Sequence, residues 1–234
     1  MRNVPMLKVI QFRYGNDNLG YLIHDEHTGI AIDPGDPGFL WDYIQQHGIH
    51  LKGIWNTHSH SDHTLGDSLL AAKSGARIMR STGTEYITLE GGEIEVMPTP
   101  GHTQDSVCFR GNGWVITGDT LLIANVGNSV PGLFKAFRGS LTRLISLPEE
   151  TVVYPGHDYT ERSILRAMQI EPGNDHIKRF WQSYTPPPVV STIGDEKRIN
   201  PYLRTEVPAV IAYLKANGKN TDTSFKRFKS FLEL

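Results

Sequence analysis

The stretch Thr57-His58-Ser59-His60-Ser61-Asp62-His63 decides how the rest of this chain is interpreted. It places three imidazoles and a carboxylate in seven residues, directly after an apolar, strand-like run. Such groups bind zinc, iron or manganese, and alternate residues of an extended segment point the same way. His58 and His60 can therefore hold one ion, while Asp62 and His63 can reach a second. A surface histidine cluster without metal is the alternative, which four ligand-type side chains at this spacing disfavour.

Three more ligand-type residues each follow a strand-like run that ends in a glycine turn. They are His102 after the run 93–97, Asp119 after the run 114–117, and His157 after the run 151–154. Taken singly, a Gly-His or Gly-Asp pair is explained as a turn or capping residue. Their joint presence and their order after the histidine cluster predict a single shared metal site.

This ordered set resembles the signature of the metallo-β-lactamase superfamily, which is Thr-His-x-His-x-Asp-His followed by Gly-His, Gly-Asp and Gly-His. The resemblance covers about the first 160 residues and implies an α/β fold, the αββα sandwich. Asp33-Pro34-Gly35-Asp36 also matches the superfamily's early Asp turn, which supports the metal loop. The resemblance further implies that one metal is held by His58, His60 and His102, a second by Asp62, His63 and His157, and that Asp119 bridges the two.

Composition favours an enzyme of the cytoplasm. The chain has 234 residues and a net charge of −2, with scattered Lys and Arg, so a nucleic-acid partner is not expected. The segment 1–8 lacks the apolar core of a signal peptide, and no apolar run approaches the ~20 residues of a membrane span. The single Cys108 cannot form an internal disulfide and alternates with its neighbours as a core strand residue does.

Turn signals and hydrophobic spacing divide the chain into two regions. Short strands are predicted over 7–14, 19–24, 29–33 and 76–80, and helices over 37–47 and 68–74. Beyond residue 160 the pattern becomes helical, with predicted helices over 161–169 and 175–184 and a final helix that packs Phe225, Phe228 and Phe231. We therefore expect a metal-binding catalytic domain over 1–160 and a helical, substrate-binding region over 161–234.

The second region narrows the family. Ser191-Thr192 followed by Asn200-Pro201-Tyr202-Leu203-Arg204 resembles the C-terminal domain of glyoxalase II, the hydroxyacylglutathione hydrolases. In isolation this segment would be interpreted as a proline-terminated linker and helix start. Downstream of the metal signature, the resemblance implies a hydrolase of glutathione thioesters, which converts S-lactoylglutathione to D-lactate and glutathione.

The expected chemistry uses two divalent ions, zinc in the first place, with iron or manganese as alternatives. A hydroxide that bridges the ions would be the nucleophile, since metal binding lowers the pKa of water from 15.7 to about 7. Asp119 would fix the separation of the ions, and Asp62 would orient the hydroxide as well as bind metal. No protein nucleophile is required, because a thiolate is a good leaving group.

Three residues are expected to contact the substrate through the same resemblance. Lys135-Ala136-Phe137-Arg138-Gly139-Ser140 looks like the family block that holds glutathione, with Lys135 at the basic position and Phe137 at the aromatic one. Tyr159 matches the family tyrosine that follows the last metal histidine. The alternatives are a solvated loop charge for Lys135 and a helix-start residue for Tyr159.

The chain departs from the family in two places. Its end offers Lys226, Arg227 and Lys229 at a different spacing from the family's basic pair, and these residues either replace that pair or face water. The family's Gly-Cys-Gly segment is replaced within the loop 123–133. Three other functions stay open: a persulfide dioxygenase with a single Fe(II), a β-lactamase-like enzyme or lactonase, and a binding protein that has lost catalysis.

Overall fold

Two mixed β-sheets form the centre of the molecule. The computed structural model describes residues 6–81 and 83–234. One sheet has four strands in the order β1-β2-β3-β4, which are Lys8–Tyr14, Asn18–His24, Thr28–Ile32 and His50–Trp55. The other has six in the order β10-β9-β8-β7-β6-β5, which are, from β5 to β10, Glu85–Leu89, Gly92–Pro98, Val107–Gly111, Trp114–Gly118, Val152–Pro155 and Ser191–Thr192.

The helices lie outside the two sheets and at the end of the chain. In chain order, α1 to α9 are Pro37–His47, Ser61–Thr64, Asp67–Ser74, Phe134–Ile145, Thr160–Ile170, Asp175–Ser183, Ile193–Ile199, Pro208–Ala216 and Ser224–Leu232. In the described part of the chain, none of them combines the length and the apolar character that a membrane crossing requires.

Period-two alternation along the strands separates the core into layers. In β7 and β8, Phe109 and Ile116 face the other sheet, whereas the intervening Cys108 and Val115 face α4 and the C-terminal helices. On the far side of the first sheet, α1 and α3 pack against β1 to β4 in a third cluster. The layers are therefore helix, sheet, sheet, helix, and the expected αββα fold is confirmed.

The C-terminal helices share the core of the sheets. Ile164 and Ile177 belong to the cluster between the sheets, and Phe228 and Phe231 to the cluster around α4. The expected final helix is thus present, with its phenylalanines packed inward. The division into 1–160 and 161–234 stays a prediction.

Two segments differ from the sequence-based expectation. Residues 76–80 do not form the predicted strand. Ile78 makes an isolated bridge to Ile54 of β4. In the described chain, only the N–H and C=O of Ile54 connect β4 to this segment by backbone hydrogen bonds. Residues 134–145, which contain the block assigned to substrate binding, form the helix α4. Its buried residues Phe137, Leu141 and Leu144 recur at helical spacing, so the pattern was available in the sequence.

Candidate metal centre

The seven candidate ligands all follow strands at one edge of the molecule. β6 and β8 are both antiparallel to β7, and β9 is parallel to β8, so the carboxyl ends of β6, β8 and β9 meet. His102, Asp119 and His157 lie just beyond these three ends. The loop after β4 and the short helix α2 deliver the remaining four: His58, His60, Asp62 and His63.

Three imidazoles converge in a first group. His58 Nε2 lies 2.9 Å from His60 Nδ1, and His102 Nε2 lies 3.1 Å from the same atom. His58 and His102 are buried, whereas His60 is exposed. One nitrogen of each ring therefore points at a common centre that is open on the His60 side.

A second group contains two imidazoles and a carboxylate. His63 Nε2 and His157 Nε2 are 3.2 Å apart, and Asp62 Oδ2 lies 3.7 and 3.5 Å from them respectively. Both histidines are buried, while the Asp62 side chain is 48% exposed. The open side of this group is therefore the carboxylate of Asp62.

Asp119 lies between the two groups. Its Oδ2 is 3.6 Å from His102 Nε2 and 3.4 Å from His157 Nε2, and its Oδ1 is 3.6 Å from His63 Nε2. Oδ1 is buried and has no hydrogen-bond partner among the described residues. A buried carboxylate oxygen without a donor is costly, so this atom points to a missing cation.

The donor set fits divalent metal ions. The edge of a tetrahedron with bonds of about 2.1 Å is about 3.4 Å, close to the separations of 2.9 to 3.7 Å between these donor atoms. The groups are imidazole nitrogens and carboxylate oxygens, which suit zinc, iron and manganese alike. The structure thus brings together all seven residues that the sequence singled out.

Three of the five candidate imidazoles are held from behind. The Nδ1 of His63 lies 2.9 Å from Asp33 Oδ2, that of His102 lies 2.7 Å from the Asn128 carbonyl oxygen, and that of His157 lies 3.0 Å from Asp17 Oδ1. A donor N–H at Nδ1 leaves Nε2 free as the ligand atom. These contacts fix both the tautomer and the orientation of the rings.

Two of the supporting residues were not found from the sequence. Asp17 lies in the turn between β1 and β2, and Asn18 is the first residue of β2; both fall between the strands predicted over 7–14 and 19–24. Asn18 Nδ2 donates to Asp62 Oδ2 at 2.9 Å, and Asp17 accepts from His157. Asp33 behaves as expected: it accepts from the Thr57 N–H and hydroxyl as well as from His63.

Close backbone approach explains two glycines of the signature. Gly118 has a φ of +49°, and a Cβ there would lie 2.4 Å from Thr57 Oγ1. A Cβ on Gly156 would lie 2.4 Å from Asp119 Oδ1. Any larger residue at either position would push Thr57 or the Asp119 carboxylate out of place.

Burial and local charge set the protonation states. Burial, reinforced by His63, lowers the pKa of His58 to about 4. For His63, burial opposes protonation, but Asp33 and Asp119 outweigh it and raise its pKa to about 9. Burial also opposes the ionisation of Asp119, yet the hydrogen bond from His157 and the other histidines keep its pKa well below the usual range. A bound ion would displace the His63 proton, since a ligating imidazole is neutral.

A cavity of about 470 Å³ opens beside the centre and reaches into the C-terminal helices. His102 and Asp119 lie at one end, and Tyr202 and Ile170 are also among its lining residues. Tyr159 lines it too, with its ring stacked on His157 at a centroid distance of 4.8 Å. This places Tyr159 next to a ligand and to the space that a substrate would enter.

Comparison with known proteins identifies the family. Residues 158–231 match the family described as "Hydroxyacylglutathione hydrolase C-terminus", and residues 79–157 match the "Metallo-beta-lactamase superfamily". A hydroxyacylglutathione hydrolase of Maricaulis maris is 33% identical over 247 residues, covering 95% of this chain and 96% of that protein. One of Tolumonas auensis is 34% identical, covering 92% of each. The chain belongs to the hydroxyacylglutathione hydrolase family.

Structural similarity extends beyond the hydroxyacylglutathione hydrolases. The crystal structure of ETHE1 from Myxococcus xanthus superimposes with a TM-score of 0.68 at 25% identity, covering 97% of this chain and 90% of that one. The fold is thus shared between proteins that are named differently. Assignment to the hydroxyacylglutathione hydrolases depends on sequence identity and on the match of residues 158–231.

Phe137 and Lys135, which the hydroxyacylglutathione hydrolase pattern assigns to substrate binding, both lie outside the lining of the cavity. Phe137 is fully buried, with its ring against Gly101 and Phe228, so its assignment to substrate binding is wrong. A phenyl ring has no hydroxyl to keep it at a polar surface, and Gly101 leaves the space in which it packs. Lys135 is exposed on α4 and does not line the cavity.

The basic residues near the chain end are largely used within the protein. Arg227 is buried, and it donates to the carbonyl oxygens of Thr205 at 2.7 Å and Thr221 at 2.8 Å. Lys226 pairs with Asp222 at the surface. In this member of the hydroxyacylglutathione hydrolase family, Arg227 therefore fixes the C-terminal helices together instead of facing a ligand.

Proposed function

We propose that this chain hydrolyses glutathione thioesters, such as S-lactoylglutathione, with two divalent metal ions. The observation that carries the proposal is the convergence of seven donors in two groups, joined by Asp119, beside a cavity walled by the region that matches the hydroxyacylglutathione hydrolase C-terminus. His58, His60 and His102 would hold one ion, Asp62, His63 and His157 the other, and Asp119 both.

Two bound divalent ions supply Lewis acidity, which makes water nucleophilic at neutral pH and polarises a thioester carbonyl. The chain's own residues hold that arrangement in place. Asp119 is held ionised by the surrounding histidines. Its Oδ1 accepts no hydrogen bond from the described residues, so this oxygen is available to a metal ion. Asp62 is fixed by Asn18 and is half exposed, so its carboxylate can orient a water molecule that enters from solvent.

The cavity supports the substrate assignment. Its wall combines apolar residues, such as Leu122 and Val126, with the hydroxyl-bearing Tyr159. We propose that Tyr159 hydrogen-bonds the substrate beside the metal centre. Lys135 stays a candidate for a substrate contact outside the cavity, since its side chain is exposed and long.

The identity of the metal and the location of the protein belong to the proposal. We propose zinc, and iron or manganese are compatible with the same nitrogen and oxygen donors. The cytoplasmic location rests on the single buried Cys108, which suits a reducing compartment.

The alternative functions are less consistent with these observations. A dioxygenase with a single Fe(II) would leave the second group of donors, including Asp62 and His63, without a function. The relatives from Maricaulis maris and Tolumonas auensis, at 33% and 34% identity over more than nine tenths of this chain, are both named hydroxyacylglutathione hydrolases.

The test is release of free thiol from S-lactoylglutathione by the full-length zinc-loaded protein. A sample treated with chelator and one re-supplied with zinc serve as controls. In parallel, oxygen uptake with glutathione persulfide is measured on protein reloaded with Fe(II), the metal that a dioxygenase requires. We expect thiol release that chelation abolishes and zinc restores. Oxygen uptake without thiol release would overturn the proposal in favour of the dioxygenase.

A further inference from the structure

Two arginines line the cavity beside the metal centre. Arg162 and Arg166 are one turn apart on α5, at the i and i+4 positions, and both line the 470 Å³ cavity. Arg162 is exposed and Arg166 is half-buried. Neither was singled out from the sequence, because arginines four residues apart on a helix usually mark a solvated face.

Neither guanidinium is neutralised. Among the described residues, no carboxylate oxygen lies within 4.0 Å of Arg162 or Arg166. The only acidic residue that lines the cavity in the described chain is Asp119, which belongs to the metal centre. Like charges at i and i+4 repel each other, so this pair favours an anion between or beside the two side chains.

The pair is connected to the metal centre by stacked side chains. The Arg162 guanidinium lies 3.6 Å from the centroid of the Tyr159 ring, and Tyr159 in turn stacks on His157. This orders the Arg162 head group beside the cavity, although its side chain is exposed. A guanidinium held in this way presents a planar fork that matches a carboxylate.

We propose that Arg162 and Arg166 form a carboxylate anchor for the thioester substrate. The anchor rests on the proposed function and names the substrate class more closely. The substrate is a thioester whose carboxylate can reach the arginine pair while its thioester group lies at the metal centre. That carboxylate belongs either to the acyl group or to the thiol, and the two sources share the same chemistry.

The experiment measures binding of thioethers, which cannot be hydrolysed, to the full-length zinc-loaded protein by calorimetry. S-pentylglutathione carries only the carboxylates of glutathione, whereas S-(4-carboxybutyl)glutathione adds one in place of the acyl group. The variants are R162Q, R166Q and R166K, the last of which keeps the charge but not the fork. Arg179→Gln, on the surface of α6 and outside this cavity, is the matched control.

An anchor for an acyl carboxylate predicts that R166Q and R162Q weaken only the carboxybutyl compound, by roughly tenfold for R166Q and less for the more exposed Arg162. An anchor for a glutathione carboxylate predicts that both compounds are weakened equally. In either case R166K restores part of the affinity, and Arg179→Gln changes neither Kd.

Unchanged Kd values for both compounds in R162Q and R166Q, at normal zinc content, would overturn the anchor. Because no bond is broken in this assay, the result is independent of thioester hydrolysis. A protein that binds the thioethers through the arginine pair but hydrolyses no thioester would contradict the proposed function and leave the anchor standing.

Discussion

The metal centre and the cavity beside it are held together in different ways. At the centre, His63, His102 and His157 each make a further hydrogen bond behind the ligand atom, to groups supplied by three separate loops. In the cavity wall, Arg162 and Arg166 have no carboxylate partner among the described residues. The candidate ligands are therefore oriented by several independent contacts, whereas the proposed substrate contacts of the arginine pair lie on one helix face where a substitution disturbs little else.

The largest effect is expected at the metal centre. Asp119→Ala removes the carboxylate that lies between both donor groups, so thiol release should fall by more than the roughly 10–100-fold that loss of a supporting residue costs. Metal content per chain should fall with it. Asp175→Ala, at an exposed position of α6, is the control. Normal turnover with normal metal content in Asp119→Ala would contradict the site.

A smaller loss is expected from a supporting residue. Asp17→Ala removes the acceptor of the His157 Nδ1–H but leaves all seven proposed ligands in place. Metal affinity or thiol release should fall roughly 10–100-fold. Asn16→Ala in the same turn should change neither, and an equal loss in both variants would indicate that the turn, not the hydrogen bond, matters.

The clustering of the seven candidate ligands could be predicted from the sequence because ligand-type residues recur in a fixed order after strand ends. Asp17 and Asn18 could not, because their role arises only when the β1–β2 turn meets His157 and Asp62 in space. Phe137 was misassigned because its position in the family pattern outweighed the helical spacing that buries it.

The αββα fold was implied by the resemblance of the ordered motif to the metallo-β-lactamase superfamily, which did not extend to local detail. The predicted strand over 76–80 failed because, among the described residues, its backbone pairs with the neighbouring strand β4 only at Ile54. The arginine pair was missed for a related reason: only the course of α5 past the cavity distinguishes Arg162 and Arg166 from surface charges.

A single buried carboxyl connects the two regions and makes stability depend on pH. Glu196 accepts from the Ala124 N–H at 3.0 Å, beside the metal centre, and from Asn200 Nδ2 at 2.8 Å in the C-terminal region. Burial raises the pKa of Glu196 from 4.5 to about 8. Between these values the folded protein keeps a proton that the unfolded chain has released, so the free energy of unfolding falls as the pH rises.

Glu196→Gln removes this titration while keeping the size of the side chain. From pH 4.5 to about 8, the free energy of unfolding of the parent protein should fall relative to that of Glu196→Gln. The slope of this difference should approach about 1.4 kcal/mol per pH unit. Denaturant unfolding of both zinc-loaded proteins across this range measures it. A difference that does not change with pH would show that Glu196 titrates normally.

The smallest effect is expected at Lys135, which is exposed on α4 and outside the cavity. Lys135→Ala should raise the KM for S-lactoylglutathione about two- to threefold with little change in kcat, since an exposed charge contributes weakly to binding. Lys215→Ala on α8 is the matched exposed control. An unchanged KM would remove Lys135 from the substrate contacts and leave that task to the cavity wall.

The most direct test of the central claim is the dependence of thiol release on bound metal. Chelated protein is titrated with zinc, and metal content and S-lactoylglutathione hydrolysis are measured on the same samples. The seven-donor centre predicts that activity rises until about two ions are bound per chain and then stays constant. Full activity at one ion per chain, or in the chelated protein, would contradict a centre in which Asp119 joins two metals.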